Sequence, residues 1–458
     1  TVDTVEFEPT WGGFLVKSDY IYDDIILYLF ERDGGDDVFV KAARINPDKT
    51  LTLGTAVLLT GNNTRQTVDL AINRSTNVFA THYGQSGQFY SYVRLGKLDP
   101  ITLNITMGIE EQFSSLTNTE RATVYPAISH ITGTNDYVIS KRLDTGLCVI
   151  TSDDSTSITN IGPVTTVSSG DAYVGYWDDV NRIYIQGIRD FTNFSTESKM
   201  QLLPISIQGT TITPGNLLTV QTIPPENISD DYVGVVLTLN GTGPNSANPG
   251  TYIATYTKNP TYTVNYAVAS FVDSANLQLE TVNTFRQYIS PEFPLGGDMG
   301  YDDDSDIFYW GELRQSSPNG AVLLPFTTDG TDISLGTDIQ VDGTVPFLSA
   351  GRAQSVLYHK PSGDIVYSYN NGSTNAKSSV IATQSTTNKE GFVGVSESTV
   401  DSNQVADITI FGGINTNVSG LSIGSNYYVS DNGGFVTNSN SLGVIGRALD
   451  SDELLIKI

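Results

Sequence analysis

Short runs of β-branched and aromatic residues, bounded by Gly, Asn, Asp or Pro, recur from end to end of the chain. No long segment sustains the 3.6-residue apolar period of a helix, so the pattern predicts strands throughout. Two signatures repeat. The first is a short strand ending near glycine: Leu51-Thr52-Leu53-Gly54, Ile105-Thr106-Met107-Gly108, Ile158-Thr159-Asn160-Ile161-Gly162 and Ile212-Thr213-Pro214-Gly215. It continues as Leu277-Gln278-Leu279-Glu280 and Ile333-Ser334-Leu335-Gly336. The markers at 54, 108, 162, 215, 280 and 336 are 54, 54, 53, 65 and 56 residues apart.

The second signature is a polar turn followed by an alternating strand that carries aromatics. Its seven occurrences begin at Ile25, Asn77, Asp136, Arg182, Thr251, Asp306 and Asp364, and several of the turns are rich in Asp or Gly, among them Asp23-Asp24, Asp178-Asp179 and Asp302-Asp303-Asp304-Ser305. A period in the fifties with four strands per unit fits a β-propeller blade. One twisted sheet cannot bury both faces alone, whereas a closed ring stacks each face on its neighbour. The expectation is an all-β chain, with a seven-bladed β-propeller of four-stranded blades over residues 1–388. Six or eight blades are the alternatives, because the first and last units are the least regular.

After the polar segment Gln384–Glu390 the blade pattern stops. Residues 389–458 then read as a second domain, a small β-barrel or sandwich of five or six short strands with Gly-bearing turns. The apolar closing segment Leu454–Ile458 predicts a terminal strand tied into its sheet.

Composition narrows the function. The 458 residues carry 24 Lys and Arg against 50 Asp and Glu, a formal charge of −26. That balance excludes nucleic acid as a partner, since phosphate binding needs clustered cations, and argues against an electrostatic hold on anionic membranes. No segment approaches the roughly 18 apolar residues of a membrane helix. Charged residues are only 16%, so the surface must be built largely from Ser, Thr, Asn, Gln and Gly. The single cysteine, Cys148, excludes an internal disulfide and reads as a buried apolar residue. The chain opens Thr1-Val2-Asp3-Thr4, so either its start has been trimmed or the numbering begins inside a longer product.

Candidate chemistry is thin. Asp302, Asp304 and Asp306 stand at alternate positions, like the opening of a calcium loop, but the glycine and the bidentate Glu of such a loop are missing. A solvated hairpin turn is the better reading. His130 and His359 precede the turns of two different blades, and His82 lies apart, so the three histidines do not converge on a metal. Trp11, Trp177 and Trp310 fall in or beside the first two strands of their blades and read as packing between blades, Trp177 being the most open. No hydrolase elbow, phosphate loop or dinucleotide fingerprint occurs, and no Ser-x-Asp-x-Gly-x-Thr-Trp box of the sialidases. No catalytic residue, metal ligand or cofactor is therefore assigned.

Residues Gly391–Ile458 resemble a small all-β module found at the C-terminal end of bacteriophage tail-fibre and other virion structural proteins. Gly420, Leu421, Gly424, Tyr427, Tyr428, Val429, Gly433, Gly446, Ala448 and Leu449 carry the likeness. It implies a non-enzymatic structural or adhesion component of a phage virion: a tail fibre, spike or capsid-decoration protein located on the extracellular particle. The implied partners are other virion proteins, further copies of the chain in a homo-oligomer, and a host-surface glycan or protein. The alternatives are a secreted propeller hydrolase or lyase acting on polysaccharide, and a surface lectin.

Overall fold

The computed structural model describes residues 4–8, 16–31, 37–60, 63–85, 90–115, 127–141, 145–190, 198–223, 236–244, 246–258, 263–287, 297–314, 320–343, 354–370, 376–382, 395–396, 408–409, 414–416, 418–429, 435–436 and 446–456. Two compact units divide it, residues 1–381 and 382–458. Among the described residues no helix is long and apolar enough to cross a membrane.

The first unit holds seven antiparallel sheets. Their inner strands are Val16–Tyr22, Asn63–Asn73, Ala127–His130, Asp171–Asp178, Val236–Gly241, Asp298–Asp302 and Gln354–His359, which number the blades 1 to 7. Each inner strand touches that of the next blade, and blade 7 touches blade 1, so the sheets close into a ring. This is a seven-bladed β-propeller. All seven aromatic segments of the sequence form second strands, and the six marker segments form outer strands.

Alternation of side chains about each strand sends apolar residues to both faces of each blade. Seven buried clusters result, one in each wedge between adjacent blades. The second strands supply their bulk: Tyr28, Tyr137, Tyr184, Tyr252 and Tyr367 are wholly buried. Much of the tyrosine content therefore fills wedges rather than meeting ligands.

The marker glycines have a local cause. At Gly54, Gly162, Gly215 and Gly336 the glycine N–H still bonds the third strand, and beyond it the outer strand breaks before resuming. At Gly54 a Cβ would lie 2.8 Å from the carbonyl oxygen of Leu103, in the outer turn of the next blade. Gly108 and Gly215 are closed off in the same way, by Thr156 and Ala275 of the following blades. Blade 5 has no such glycine, and its outer strand Asn276–Gln287 runs through unbroken.

Blade 7 has only three strands of its own, the third being Ala376–Ala382. Its outer strand is Thr4–Glu8, which pairs antiparallel with Ala376–Ser379. The ring is thus shut by joining the two ends of the propeller segment. This accounts for the unit ending at 381 rather than at the expected 388: blade 7 needs no fourth strand from downstream.

In the second unit, five strands pair in the order Ile414–Asn415, Glu453–Ile456, Gly446–Asp450, Asn426–Val429 and Phe435–Val436. A separate two-stranded ladder joins Val395–Ser396 to Ile408–Thr409. The closing strand is paired on both sides. Leu421, Tyr427, Ala448 and Leu454 form its buried cluster, and the Tyr427 hydroxyl accepts the Ser422 N–H. Gly420 and Gly424 have φ of 73° and 79°, a region that favours glycine. Of the motif residues, Leu421, Tyr427 and Ala448 are core and Gly420 and Gly424 turn residues, whereas Leu449 is an exposed strand residue. Gln384–Glu390, Gly391 and Gly433 lie outside the described residues, as does most of the segment to 413.

Candidate functional site

All seven inner strands run toward the same end of the ring, so the hairpins joining them to the second strands gather around the axis at one face. Three of these hairpins share one construction. In blades 2, 4 and 6 the last inner-strand residue is Asn73, Asp178 or Asp302, and its side-chain oxygen accepts the backbone N–H two residues on. Four residues after it, Asn77, Arg182 and Asp306 adopt φ of 57°, 56° and 59°. Short polar side chains make this turn because they bond their own backbone.

That construction engages the alternating aspartates. Asp302 accepts the N–H groups of Asp304 and Ser305 and the Ser305 hydroxyl. Asp304 accepts the Tyr358 hydroxyl at 2.5 Å. Asp306 accepts the Tyr301 hydroxyl at 2.8 Å and the Ser246 hydroxyl at 2.9 Å, which ties blade 6 to blade 5. Asp302, Asp303 and Asp304 do lie close enough together to offer oxygens to one ion. The bonds made by Asp302 and Asp304, and that of Asp303 to Lys360, are nonetheless those of a hairpin and its neighbours.

The hairpins surround a cavity of about 270 Å³. Tyr20 of blade 1, Tyr176 of blade 4, Tyr301 of blade 6 and Tyr358 of blade 7 line it, with Asp179, Val180, Asp303 and Lys360 and the Thr242-Gly243-Pro244 corner of blade 5. Arg74 of blade 2 lies beside it, its guanidinium 3.9 Å from the centre of the Tyr20 ring and 2.6 Å from Asp19 Oδ1. Tyr20 also meets the His359 ring edge-on at 5.5 Å. Burial opposes the charges of Arg74 and Lys360, but the partners Asp19 and Asp303 outweigh it and raise both pKa values. Burial raises the Tyr20, Tyr176, Tyr301 and Tyr358 hydroxyls above their ordinary range, so they remain protonated donors.

Along the axis, side chains bridge adjacent inner strands. Asp69 accepts the Ile128 N–H at 3.0 Å, Asp298 accepts the Val356 N–H at 2.9 Å, and Ser355 accepts the Ser18 N–H at 2.9 Å. Lys17 holds its charge between two of these carboxylates: attraction by Asp298, and then by Asp69, raises its pKa against burial. These groups close the ring and do not reach the mouth cavity.

The remaining sequence candidates are structural. His359 is wholly buried and its Nδ1 meets Ser362 Oγ at 2.7 Å, while His130 Nε2 meets Thr134 O at 2.8 Å, each within its own turn. Their registers differ by one step, His359 standing opposite Asp364 but His130 opposite Tyr137. His82 lies wholly buried in the second strand of blade 2. Trp310 fills the wedge between blades 5 and 6, and Trp177 that between blades 3 and 4 at 8% exposure, less open than its acidic turn suggests. Trp11 lies outside the described residues. Cys148 fills the wedge between blades 2 and 3, and burial pushes its thiol up to about 12.

Sequence reading missed the mouth tyrosines, because within each strand they look the same as the tyrosines that fill the wedges. The signal available was position: Tyr301 and Tyr358 stand one residue, and Tyr20 and Tyr176 two residues, before the end of an inner strand, next to the turn.

No family model matches the chain, and no curated protein does. Among solved structures, a Lactobacillus plantarum protein is similar at 14% identity, covering 73% of this chain and 85% of that one with a TM-score of 0.47. The periplasmic gluconolactonase of Pseudomonas aeruginosa is similar at 13% identity, covering 74% and 92% with a TM-score of 0.44. A putative 6-phosphogluconolactonase of Bacteroides uniformis is similar at 10%, covering 75% and 92%, also at 0.44. A shared ring does not transfer chemistry, which resides in particular site residues.

Proposed function

We propose that this chain is a non-enzymatic attachment component of a phage particle, a propeller that presents one face to the host surface. The observation that carries the binding half of this reading is the mouth: tyrosines from four blades line one cavity, three of them half-buried and Tyr358 buried, with polar groups beside them engaged in mutual bonds. Such a surface binds through shape, stacking and hydroxyl contacts. The particle half rests on the likeness of residues 391–458 to virion modules. Rigid closure of the ring and a charge of −26 suit an exposed component that must resist unfolding and self-association.

The test is a cryo-EM reconstruction of the assembly that contains this chain. Symmetric copies on a capsid vertex, collar or tail are expected, with the mouth directed away from the particle. A lone soluble propeller that cleaves polysaccharide would overturn the reading in favour of a hydrolase, which needs two carboxylates flanking the scissile bond.

A further inference from the structure

We propose that the mouth cavity is a subsite for one terminal, uncharged sugar residue, a hexose or N-acetylhexosamine, and that it rejects acidic sugars. The inference rests on the attachment reading above and names its ligand class. Size comes first: about 270 Å³ lies just below the range of ordinary ligand pockets, so the site takes the end of a glycan and not a stretch of chain. A pyranose presents an apolar C–H face and a rim of hydroxyls. The cavity answers both, with the half-buried rings of Tyr176 and Tyr301 in its wall as apolar surface and the exposed carboxylate of Asp179 as an acceptor for sugar hydroxyls.

Charge sets the selectivity. Among the described residues, the lining cation Lys360 is already matched by Asp303, and Arg74 beside the cavity by Asp19. A sugar carboxylate entering the cavity must break one of these pairs or go without a counter-charge, and either is costly in a partly desolvated site. Asp179 is a further negative charge among the lining residues, and the field of a chain at −26 adds to the repulsion. An uncharged sugar meets none of these penalties.

The experiment is saturation-transfer NMR on the full chain with glucose, galactose, N-acetylglucosamine, glucuronate and N-acetylneuraminate as probes. At least one neutral sugar is expected to give signal and the two acids none. Val180→Trp places a ring in the cavity from an exposed position, 38% accessible, and is expected to abolish that signal, while Ile101→Ser on the outer rim leaves it unchanged. Asp179→Lys supplies an unmatched cation and is expected to admit glucuronate. Unchanged melting temperatures show that each variant folds. Neutral-sugar signal that survives Val180→Trp, acid signal equal to the neutral in the wild-type chain, or no signal from any probe would each overturn the proposal. The attachment reading falls separately, on the position of the chain in the reconstruction.

Discussion

His82 stands in the second strand of blade 2, with no exposed surface, opposite Asp69 of the inner strand. Burial lowers its pKa from 6.5 to about 3, against a hydrogen bond with the Ala127 backbone that acts the other way. A folded-state value below the unfolded one means that the unfolded chain takes up the proton more readily. The stability associated with a neutral His82 is therefore complete above about pH 6.5 and is lost as pH falls from there toward 3. The urea midpoint is expected to decline steadily between pH 6.5 and 4.5, and His82→Phe to flatten that decline. A His82→Phe midpoint that declines as steeply as the wild type's would show that the imidazole is not held neutral. Asp338 acts in a separate, lower window: hydrogen bonds from Arg314 and Arg286 overcome burial and bring its pKa down to about 2, so its contribution fades only below about pH 3.8.

Between blades 5 and 6 the second strand Ile307–Arg314 ends in a buried ionic group. Glu312 has no exposed surface, Arg314 is at 4%, and Arg314 bonds both Glu312 and Asp338, the latter at 2.7 Å. Arg286, at the far end of blade 5's outer strand, reaches Asp338 at 2.8 Å and so clamps the two blades. Arg314→Met removes a close partner of a buried carboxylate and is expected to cost about 3–5 kcal/mol in urea unfolding. Arg314→Met combined with Glu312→Leu is expected to recover most of that loss, because the uncompensated charge goes with it. Equal losses in the single and double variants would mean that the clamp to Asp338, and not the Glu312 charge, carries the stability. None of this was legible beforehand: Glu312 and Asp338, 26 residues apart, are brought together by the strand order within blade 6, and Arg286 joins them only when blade 5 packs on it.

For the whole ring, closure depends on five residues. Without Thr4–Glu8 the strand Ala376–Ala382 becomes an open edge, which invites pairing with other chains. Removal of residues 1–8 is expected to lower the melting temperature by several degrees and to produce concentration-dependent association by light scattering. A synthetic Thr4–Glu8 peptide added in trans is expected to reverse part of both. A truncated chain as stable and as monomeric as the full one would show that the inner-strand contacts alone hold the ring shut.

Blade number, strand order within a blade and the place of the outer strands were readable from residue order, because each depends on neighbours in sequence: alternation, a polar turn, a glycine near a strand end. The marker at Gly54 and the aromatic strand beginning at Ile25 are of this kind. Where an outer strand breaks was not readable, since Gly108 lies inside the unbroken strand Ile105–Ser115. Closure by Thr4–Glu8, the Arg286–Asp338 clamp and the choice of four tyrosines out of 24 to line a mouth were not. Each is a contact between segments far apart along the chain, and a strand's own sequence does not say which blade it will face. The four mouth tyrosines also pack against the wedge clusters and obey the same period of two; only the convergence of hairpins from different blades brings them to one cavity.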